Sequence, residues 1–206
     1  MNVGGIVLCG GWSSRMGRPK AWLPVGDEPM LSRVVRILRE VVGPVIVVAA
    51  PGQDVPPLPA EVAIVRDDVK GLGPLAGLAA GLTALAGRVD AVYLSACDVP
   101  LLQPTFVRYM AESLHDDAIA VPHIGGYYHP LAAVYRLSVL PVVRDQLAAT
   151  NLRMQSLFDL VPTRVISAQD LAAIDPETRF LHNINTPLEY ADVLRILGVS
   201  LPEFRL

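Results

Sequence analysis

Residues 4–20, Gly-Gly-Ile-Val-Leu-Cys-Gly-Gly-Trp-Ser-Ser-Arg-Met-Gly-Arg-Pro-Lys, decide the fold class, because they join a short apolar run to a loop rich in glycine and basic residues. The apolar run predicts a first strand over residues 4–9, and a loop that directly follows a first strand often carries function. The glycine spacing matches neither the P-loop pattern nor the dinucleotide-binding fingerprint. It therefore disfavours a P-loop ATPase and an NAD-linked dehydrogenase.

Outward from this loop, apolar runs of strand length alternate with helical patterns. Residues 44–50 are β-branched and continuously apolar, as expected of a strand buried on both faces. Further strands are predicted over 62–65, 91–96, 118–123, 128–135 and 163–167, and helices over 30–42, 104–114, 139–148, 154–160 and 188–197, with one more that has Pro74 in its first turn. This order predicts a three-layer α/β fold whose mostly parallel sheet contains one antiparallel hairpin around Gly125 and Gly126.

The composition bounds the class of protein. With 206 residues, 52% of them hydrophobic and 18% charged, the chain suits one globular domain over residues 1–206. Its net charge of −3 gives no overall attraction to nucleic acid or to an anionic membrane. Two cysteines are too few for a disulfide framework, and the first residues lack a signal-peptide pattern. We therefore expect a cytoplasmic protein without a membrane span.

The loop after the first strand has the residue types of a phosphate site. Gly10 and Gly11 allow the backbone to approach an anion closely with its N–H groups turned inward. Arg15 can grip phosphate oxygens in a fork, and Lys20 adds a point charge. The alternative interpretation is a surface loop with solvated cations.

Carboxylates and amides follow other predicted elements. Asp98 comes directly after the strand over 91–96, where a carboxylate is well placed to hold Mg²⁺ against substrate phosphates. The alternative for Asp98 is a helix cap or a turn before Pro100. Asn183 and Asn185 would point to the same side of an extended segment, and either could supply a neutral oxygen to a metal or a substrate.

Other nucleophilic or metal-binding patterns are weak in this sequence. His129 follows the predicted hairpin, and a lone histidine is more often a bystander than a catalyst. The histidines lack the ligand spacing of a zinc site, and Ser13 and Ser14 lack the context of a nucleophile elbow. The cysteines are expected to pack as small apolar side chains.

Taken together, these motifs resemble the molybdenum cofactor guanylyltransferase family, within the nucleotidyltransferases of the sugar-nucleotide type. The resemblance runs from Gly5 to about Leu194 and rests on five elements that occur in one order. They are the glycine-rich loop over 8–20, Gly-Pro-Leu-Ala-Gly over 73–77, Ala-Cys-Asp-Val-Pro-Leu over 96–101, His-Pro-Leu over 129–131, and Asn-Ile-Asn-Thr-Pro over 183–187.

The resemblance implies a nucleotide-diphospho-sugar transferase-like fold and a reaction. A phosphate of molybdopterin would attack the α-phosphorus of GTP, expel pyrophosphate and give the guanine dinucleotide cofactor. It implies GTP and molybdopterin as substrates, Mg²⁺ as the cofactor, and contacts with a molybdoenzyme or a chaperone as further partners. For GTP, the resemblance implies phosphate binding and catalysis by Arg15, Lys20 and Asp98, recognition of guanine and ribose by Leu8, Cys9, Gly10 and Gly11, and further contacts by Asp67 and Gly73. For the metal ion, it implies Asp98 and Asn185. For the pterin, it implies contacts by Gly77, His129, Arg153, Asn183 and Asn185.

The chain departs from the family pattern at one place. Family members often carry an asparagine that touches the nucleotide at the end of the second strand, where this chain has Ala50. Alanine cannot make that side-chain hydrogen bond, so this role is not transferred. Asp67 is the expected nucleotide contact at the end of the strand over 62–65, with Asp68 as its rival.

Three other functions remain open from the sequence. A molybdopterin cytidylyltransferase looks similar, but typically has Ala-Ala-Gly where this chain has Cys9, Gly10 and Gly11. A nucleotidyltransferase for a sugar or isoprenoid phosphate usually needs an extra segment that 206 residues barely accommodate. A nucleotide-binding regulator or cofactor chaperone is the alternative without catalysis, and the presence of Arg15, Lys20 and Asp98 argues against it.

Overall fold

The fold is described from a computed structural model, which describes residues 1–9, 19–66 and 72–200. The strands are β1 (Val3–Leu8), β2 (Pro24–Val25), β3 (Glu28–Pro29), β4 (Val45–Ala49), β5 (Ala63–Arg66), β6 (Ala91–Ala96), β7 (Ile119–Ile124), β8 (Tyr127–Tyr128), β9 (Ala132–Arg136) and β10 (Thr163–Ser167). The α-helices are α1 (Met30–Arg39), α2 (Gly73–Leu85), α3 (Pro104–Glu112), α4 (Leu140–Ala148), α5 (Ala168–Leu171) and α6 (Pro187–Ile196).

The main sheet has the strand order β10-β7-β9-β6-β1-β4-β5, and β8 pairs with β7 outside this path. Strand β1 lies between β4 and β6 and is parallel to both. Strand β9 runs antiparallel to β6 on one side and to β7 on the other. The predicted α/β class, with a mostly parallel sheet and an antiparallel hairpin, is therefore confirmed.

Helices cover both faces of the sheet, as the apolar strands require. Every residue of β4 and of β6 is buried. Helices α1 and α3 pack their apolar sides on one face of the sheet, and α2 and α4 pack on the other. Helix α6 and the small ribbon of β2 and β3 enclose a third, smaller apolar cluster. These helices leave the carboxyl ends of the parallel strands as one continuous edge of the sheet.

Helix α2 lies directly on β1 because its glycines remove two side chains from the contact. A Cβ atom at Gly81 would be 2.5 Å from the Cδ1 atom of Ile6, and one at Gly77 would be 2.9 Å from a methyl group of Leu8. In the described part of the chain, no helix is long and apolar enough to cross a membrane.

Some elements differ from the sequence prediction. Residues 154–160 were expected to form an α-helix, but Met154–Asp159 form a 3₁₀-helix. The expectation of a helix over 30–42 is too long, because α1 ends at Arg39. Several short elements were not predicted, among them the ribbon of β2 and β3, whose strands have two residues each, and α5, which has four. Elements this short have too few residues to show a hydrophobic period.

Two buried tyrosines give a matched test of the packing. The hydroxyl of Tyr93 has no hydrogen-bond partner within the described residues, whereas that of Tyr135 donates to the carbonyl of Pro130 at 2.8 Å. We expect Tyr93→Phe to raise the free energy of unfolding by about 1 kcal/mol and Tyr135→Phe to lower it by about 1 kcal/mol, because only the second variant loses a bond. Urea unfolding measures both changes, and equal changes in one direction would contradict this assignment.

Candidate active site

The candidate site lies where β1 and β6 end side by side. The two strands pair in parallel register up to Leu8 and Ala96, so the next residues, Cys9 and Cys97, are neighbours. The backbone N–H of Cys97 donates to the carbonyl of Leu8 at 3.0 Å and continues the pairing by one residue. This register fixes Asp98 at the sheet edge beside the start of the glycine-rich loop.

The carboxylate of Asp98 is held by groups from two distant segments. The Nζ atom of Lys20 lies 2.7 Å from its Oδ2 atom, and the Nδ2 group of Asn183 donates to its Oδ1 atom at 3.2 Å. The backbone carbonyl of Asp98 also accepts from the N–H of Ile184 at 3.0 Å. Residue Asp98 is only 8% exposed, so the ion pair with Lys20 is partly shielded from water.

The start of α6 positions the second asparagine. Lys20 Nζ donates to the Oδ1 atom of Asn185 at 2.9 Å. The carboxylate of Glu189 accepts from the N–H groups of Asn185 and Thr186 at 2.6 and 2.9 Å, and Thr186 caps the helix in return. The bond from the Asn185 N–H, more than any other contact, lowers the pKa of Glu189. The cap therefore fixes the segment that carries Asn185.

Glu189 is a positioning residue that the sequence reasoning missed. A threonine followed by a proline is an ordinary helix start, and Thr186 is indeed the cap of α6, with Pro187 in its first turn. The spacing of Thr186 and Glu189 is that of a capping box, a signal that was present in the sequence.

The donor set fits a hard divalent cation. The Oδ2 atom of Asp98 and the Oδ1 atom of Asn185 converge on one positively charged atom, the Nζ of Lys20, at 2.7 and 2.9 Å. Carboxylate and amide oxygens are the ligands that Mg²⁺ takes from proteins. Asn183 instead turns its amide nitrogen toward Asp98. The geometry thus favours Asn185 over Asn183 as the partner of Asp98 at such an ion.

The two cysteines are buried neighbours at the same strand ends. The hydrogen bond between their side chains lowers the pKa of Cys9 and, together with burial, raises the pKa of Cys97. Both side chains belong to the apolar cluster under α1 and α3. The expectation that they pack as small apolar groups agrees with this burial.

The remaining predicted site residues divide into three groups. Gly10, Gly11, Arg15 and Asp67 lie outside the described residues. Gly73 begins α2 with a positive φ of 70°, and no atom from elsewhere in the described residues lies within 4 Å of a Cβ placed on it, whereas Gly77 packs against Leu8. The packing of Gly77 explains its missing side chain without a ligand, and its pterin contact stays a prediction.

His129 lies between β8 and β9, on the side of β6 away from β1. The N–H of His129 donates to the carbonyl of Pro122 at 2.9 Å, and burial, the largest influence, lowers the pKa of its imidazole. Arg153 is exposed before the 3₁₀-helix over Met154–Asp159. Within the described residues, neither belongs to the hydrogen-bonded cluster around Asp98. Their pterin contacts stay predictions.

A row of rings close to His129 was not predicted from the sequence. The rings of His123 and Tyr128, which face each other across β7 and β8, have centroids 4.5 Å apart, and Phe158 lies 4.9 Å from Tyr128. The hairpin was predicted, but the contact with Phe158 joins residues 30 positions apart in the chain. Periodicity does not reveal such a pairing.

The structure gathers a lysine, a carboxylate and an amide oxygen at the carboxyl edge of a mostly parallel sheet. The sequence matches the family described as the MobA-like NTP transferase domain over residues 5–163. The chain therefore belongs to the MobA-like NTP transferase family. Because this match and the fold agree, the protein is a transferase of nucleotides.

Relatives of similar length carry a common name. A probable molybdenum cofactor guanylyltransferase of Carboxydothermus hydrogenoformans is 32% identical over 203 residues, which cover 97% of this chain and 98% of the relative. One of Mycobacterium avium is 38% identical over 192 residues, covering 90% and 92%. Both relatives thus match nearly from end to end.

Solved structures share the fold at lower identity. The molybdopterin-guanine dinucleotide biosynthesis protein A of Archaeoglobus fulgidus has a TM-score of 0.78 at 19% identity, covering 96% of this chain and 99% of that one. The 2-C-methyl-D-erythritol 4-phosphate cytidylyltransferase of Thermus thermophilus has a TM-score of 0.69 at 16% identity, covering 97% and 100%. These two similarities concern the fold alone.

Proposed function

We propose that this protein transfers GMP from GTP to the phosphate of molybdopterin, forming the molybdopterin guanine dinucleotide and releasing pyrophosphate. The observation that carries the proposal is the contact of Lys20 with both Asp98 and Asn185 at the edge where the glycine-rich loop begins. The names of the relatives that match nearly the whole chain support the same substrates.

The reaction needs alignment and charge neutralisation more than a nucleophile on the protein. An oxygen of the acceptor phosphate forms a bond to the α-phosphorus of GTP, and the bond from that phosphorus to the bridging oxygen of pyrophosphate breaks. The excess negative charge leaves with pyrophosphate. A cationic side chain such as that of Lys20, placed next to the phosphates, lowers the barrier to nucleotidyl transfer by neutralising charge on the phosphate oxygens. In this proposal Arg15 is the second cation that binds the triphosphate.

Asp98 and Asn185 are the residues that would hold Mg²⁺. When bound, the ion supplies positive charge to the oxygens of both phosphates. Asn183 donates to the other oxygen of Asp98 and orients its carboxylate. Glu189 holds the backbone on which Asn185 is carried.

The other residues named in the sequence analysis are assigned to the two halves of the substrate pair, GTP and the pterin. The backbone of Leu8, Cys9, Gly10 and Gly11 reads guanine and ribose, with Asp67 and Gly73 as further GTP contacts. Gly77, His129, Arg153, Asn183 and Asn185 are assigned to the pterin half. The product would pass to a molybdoenzyme or its chaperone in the cytoplasm.

Guanine is favoured over cytosine by the start of the loop. Cytidylyltransferase relatives typically have Ala-Ala-Gly where this chain has Cys9, Gly10 and Gly11. The relatives reported above are named for guanylyl transfer. A molybdopterin cytidylyltransferase, whose sequence looks similar, is the alternative that these two observations disfavour.

A side-by-side comparison of nucleotides tests the proposed function. Molybdopterin and Mg²⁺ are incubated with the protein and GTP, CTP or ATP, and the dinucleotide product is quantified. We expect product with GTP alone and a larger rise of the melting temperature with GTP, because a ligand selective for the folded state stabilises it. Product with CTP at an equal or higher rate would overturn the guanine assignment.

A further inference from the structure

The turn after β4 carries a side chain that reaches back to the end of β1. Gln53 is half-buried, and its Nε2 group donates to the backbone carbonyl of Cys9 and lies 3.4 Å from the Sγ atom of the same residue. Its Oε1 atom accepts from the N–H of Ala50 at 3.1 Å. One amide therefore uses both its donor and its acceptor to join the ends of two adjacent strands.

A second side chain, from the neighbouring strand β5, donates hydrogen bonds to the same turn. Arg66 is the last residue of β5, and its Nη1 group donates to the carbonyls of Ala50 and Gln53 at 3.1 and 2.6 Å. The N–H of Gln53 donates to the carbonyl of Ala50 at 3.1 Å and closes the turn. These bonds tie the carboxyl ends of β1, β4 and β5 together.

The positions that are tied together adjoin both segments assigned to GTP. Cys9 is followed directly by Gly10 of the glycine-rich loop, and Arg66 is followed directly by Asp67. The guanidinium of Arg66 is charged, and a charged donor gives stronger hydrogen bonds than a neutral one. The arrangement fixes the positions of Cys9 and Arg66. Within the described residues, neither Gln53 nor Arg66 belongs to the hydrogen-bonded cluster around Asp98.

We propose that Gln53 and Arg66 form a brace that holds the strand ends at Cys9, Ala50 and Arg66 together and thereby supports nucleotide binding. In this role they are positioning residues, because they act through Cys9 and Ala50. The inference rests on the proposed function for the identity of the nucleotide. It deepens that function by naming the residues that set the nucleotide affinity from outside the phosphate site.

The brace predicts an effect on nucleotide binding with little effect on the chemical step. We expect Gln53→Leu to raise KM for GTP about tenfold, the effect of losing one or two hydrogen bonds, with kcat changed by less than about threefold. Gln53→Glu retains an acceptor for Ala50 but loses the donor to Cys9, so a similar rise is expected. KM for the acceptor should not change. The matched control is Gln169→Leu at an exposed position of α5, and this variant should behave as the unchanged protein.

The measurements are steady-state kinetics, calorimetric Kd of Mg²⁺-GTP and thermal unfolding of each variant. A double variant with Arg66→Met should weaken GTP binding by less than the product of the two single effects, because both residues serve one turn. A lower melting temperature with an unchanged Kd would overturn the brace, as would a fall in kcat at constant KM.

The outcome can be separated from the fate of the proposed function. If the unchanged protein uses CTP better than GTP, the guanine assignment fails, and the ratio of variant to unchanged Kd for CTP tests the brace in the same way. If it transfers no nucleotide to molybdopterin, the acceptor assignment fails, and the calorimetric ratio for Mg²⁺-GTP still supports or overturns the brace.

Discussion

Replacement of Asp98 by asparagine is expected to lower kcat about a thousandfold, the largest effect of any single change considered for this protein. The carboxylate contacts Lys20 through one oxygen and Asn183 through the other, so its charge lies at the centre of the site. Asparagine retains the shape but not the charge, so it would hold Mg²⁺ more weakly than a carboxylate would. Steady-state kinetics with GTP, molybdopterin and Mg²⁺ measure the loss.

The control for Asp98→Asn is the same chemical change at the opposite edge of the sheet. Asp116 is exposed before the start of β7, so Asp116→Asn should leave kcat unchanged. Thermal unfolding should show that Asp98→Asn remains folded, with a melting temperature within a few degrees of the unchanged protein. Near-normal turnover of folded Asp98→Asn would show that this carboxylate is not required.

Replacement of Lys20 by methionine is expected to lower kcat/KM for GTP about a hundredfold, the second largest effect. The ammonium group is the contact that joins Asp98 and Asn185, and methionine keeps only the length of the side chain. Lys20→Arg should not restore activity, because a planar fork cannot replace a point charge at 2.7 and 2.9 Å from two oxygens.

Arg108→Met, which removes an exposed cation from α3, is the matched control for Lys20→Met and should be fully active. The double variant Lys20→Met with Asp98→Asn should be little worse than Asp98→Asn alone, because residues that act as a unit are not additive. If the loss of activity in the double variant equalled the product of the two single losses, Lys20 and Asp98 would act independently.

The alternation of strands and helices, the mostly parallel sheet with its antiparallel hairpin, and the position of Asp98 at the sheet edge follow from sequence reasoning. A carboxylate after a buried parallel strand has to lie at the carboxyl edge, and so does a loop that follows β1. The sequence could not show that Lys20 contacts Asn185 in particular, because the two residues are 165 positions apart. Asn183 and Asn185 also point to the same side of an extended segment, so their spacing does not distinguish them. Which amide oxygen faces the cation depends on the hydrogen bonds of the folded chain.

The brace shows why other parts of the site were not predictable. Ala50 was identified as a position without a side-chain hydrogen bond, but the sequence did not indicate that its backbone N–H would donate to the side chain of Gln53. Gln53 lies in an irregular turn, where no period or motif gives the direction of a side chain. Its contact with Cys9 depends on the parallel pairing of β1 and β4, which is a tertiary property.

The most direct test of the central claim follows the α-phosphorus of GTP. The protein is incubated with molybdopterin, Mg²⁺ and GTP that carries a radioactive label at either the α- or the γ-phosphorus. If the protein is a guanylyltransferase, the α-label appears in the molybdopterin product and the γ-label in pyrophosphate. Recovery of the γ-label as inorganic phosphate, with the α-label left in GDP, would instead identify a hydrolase and contradict nucleotidyl transfer.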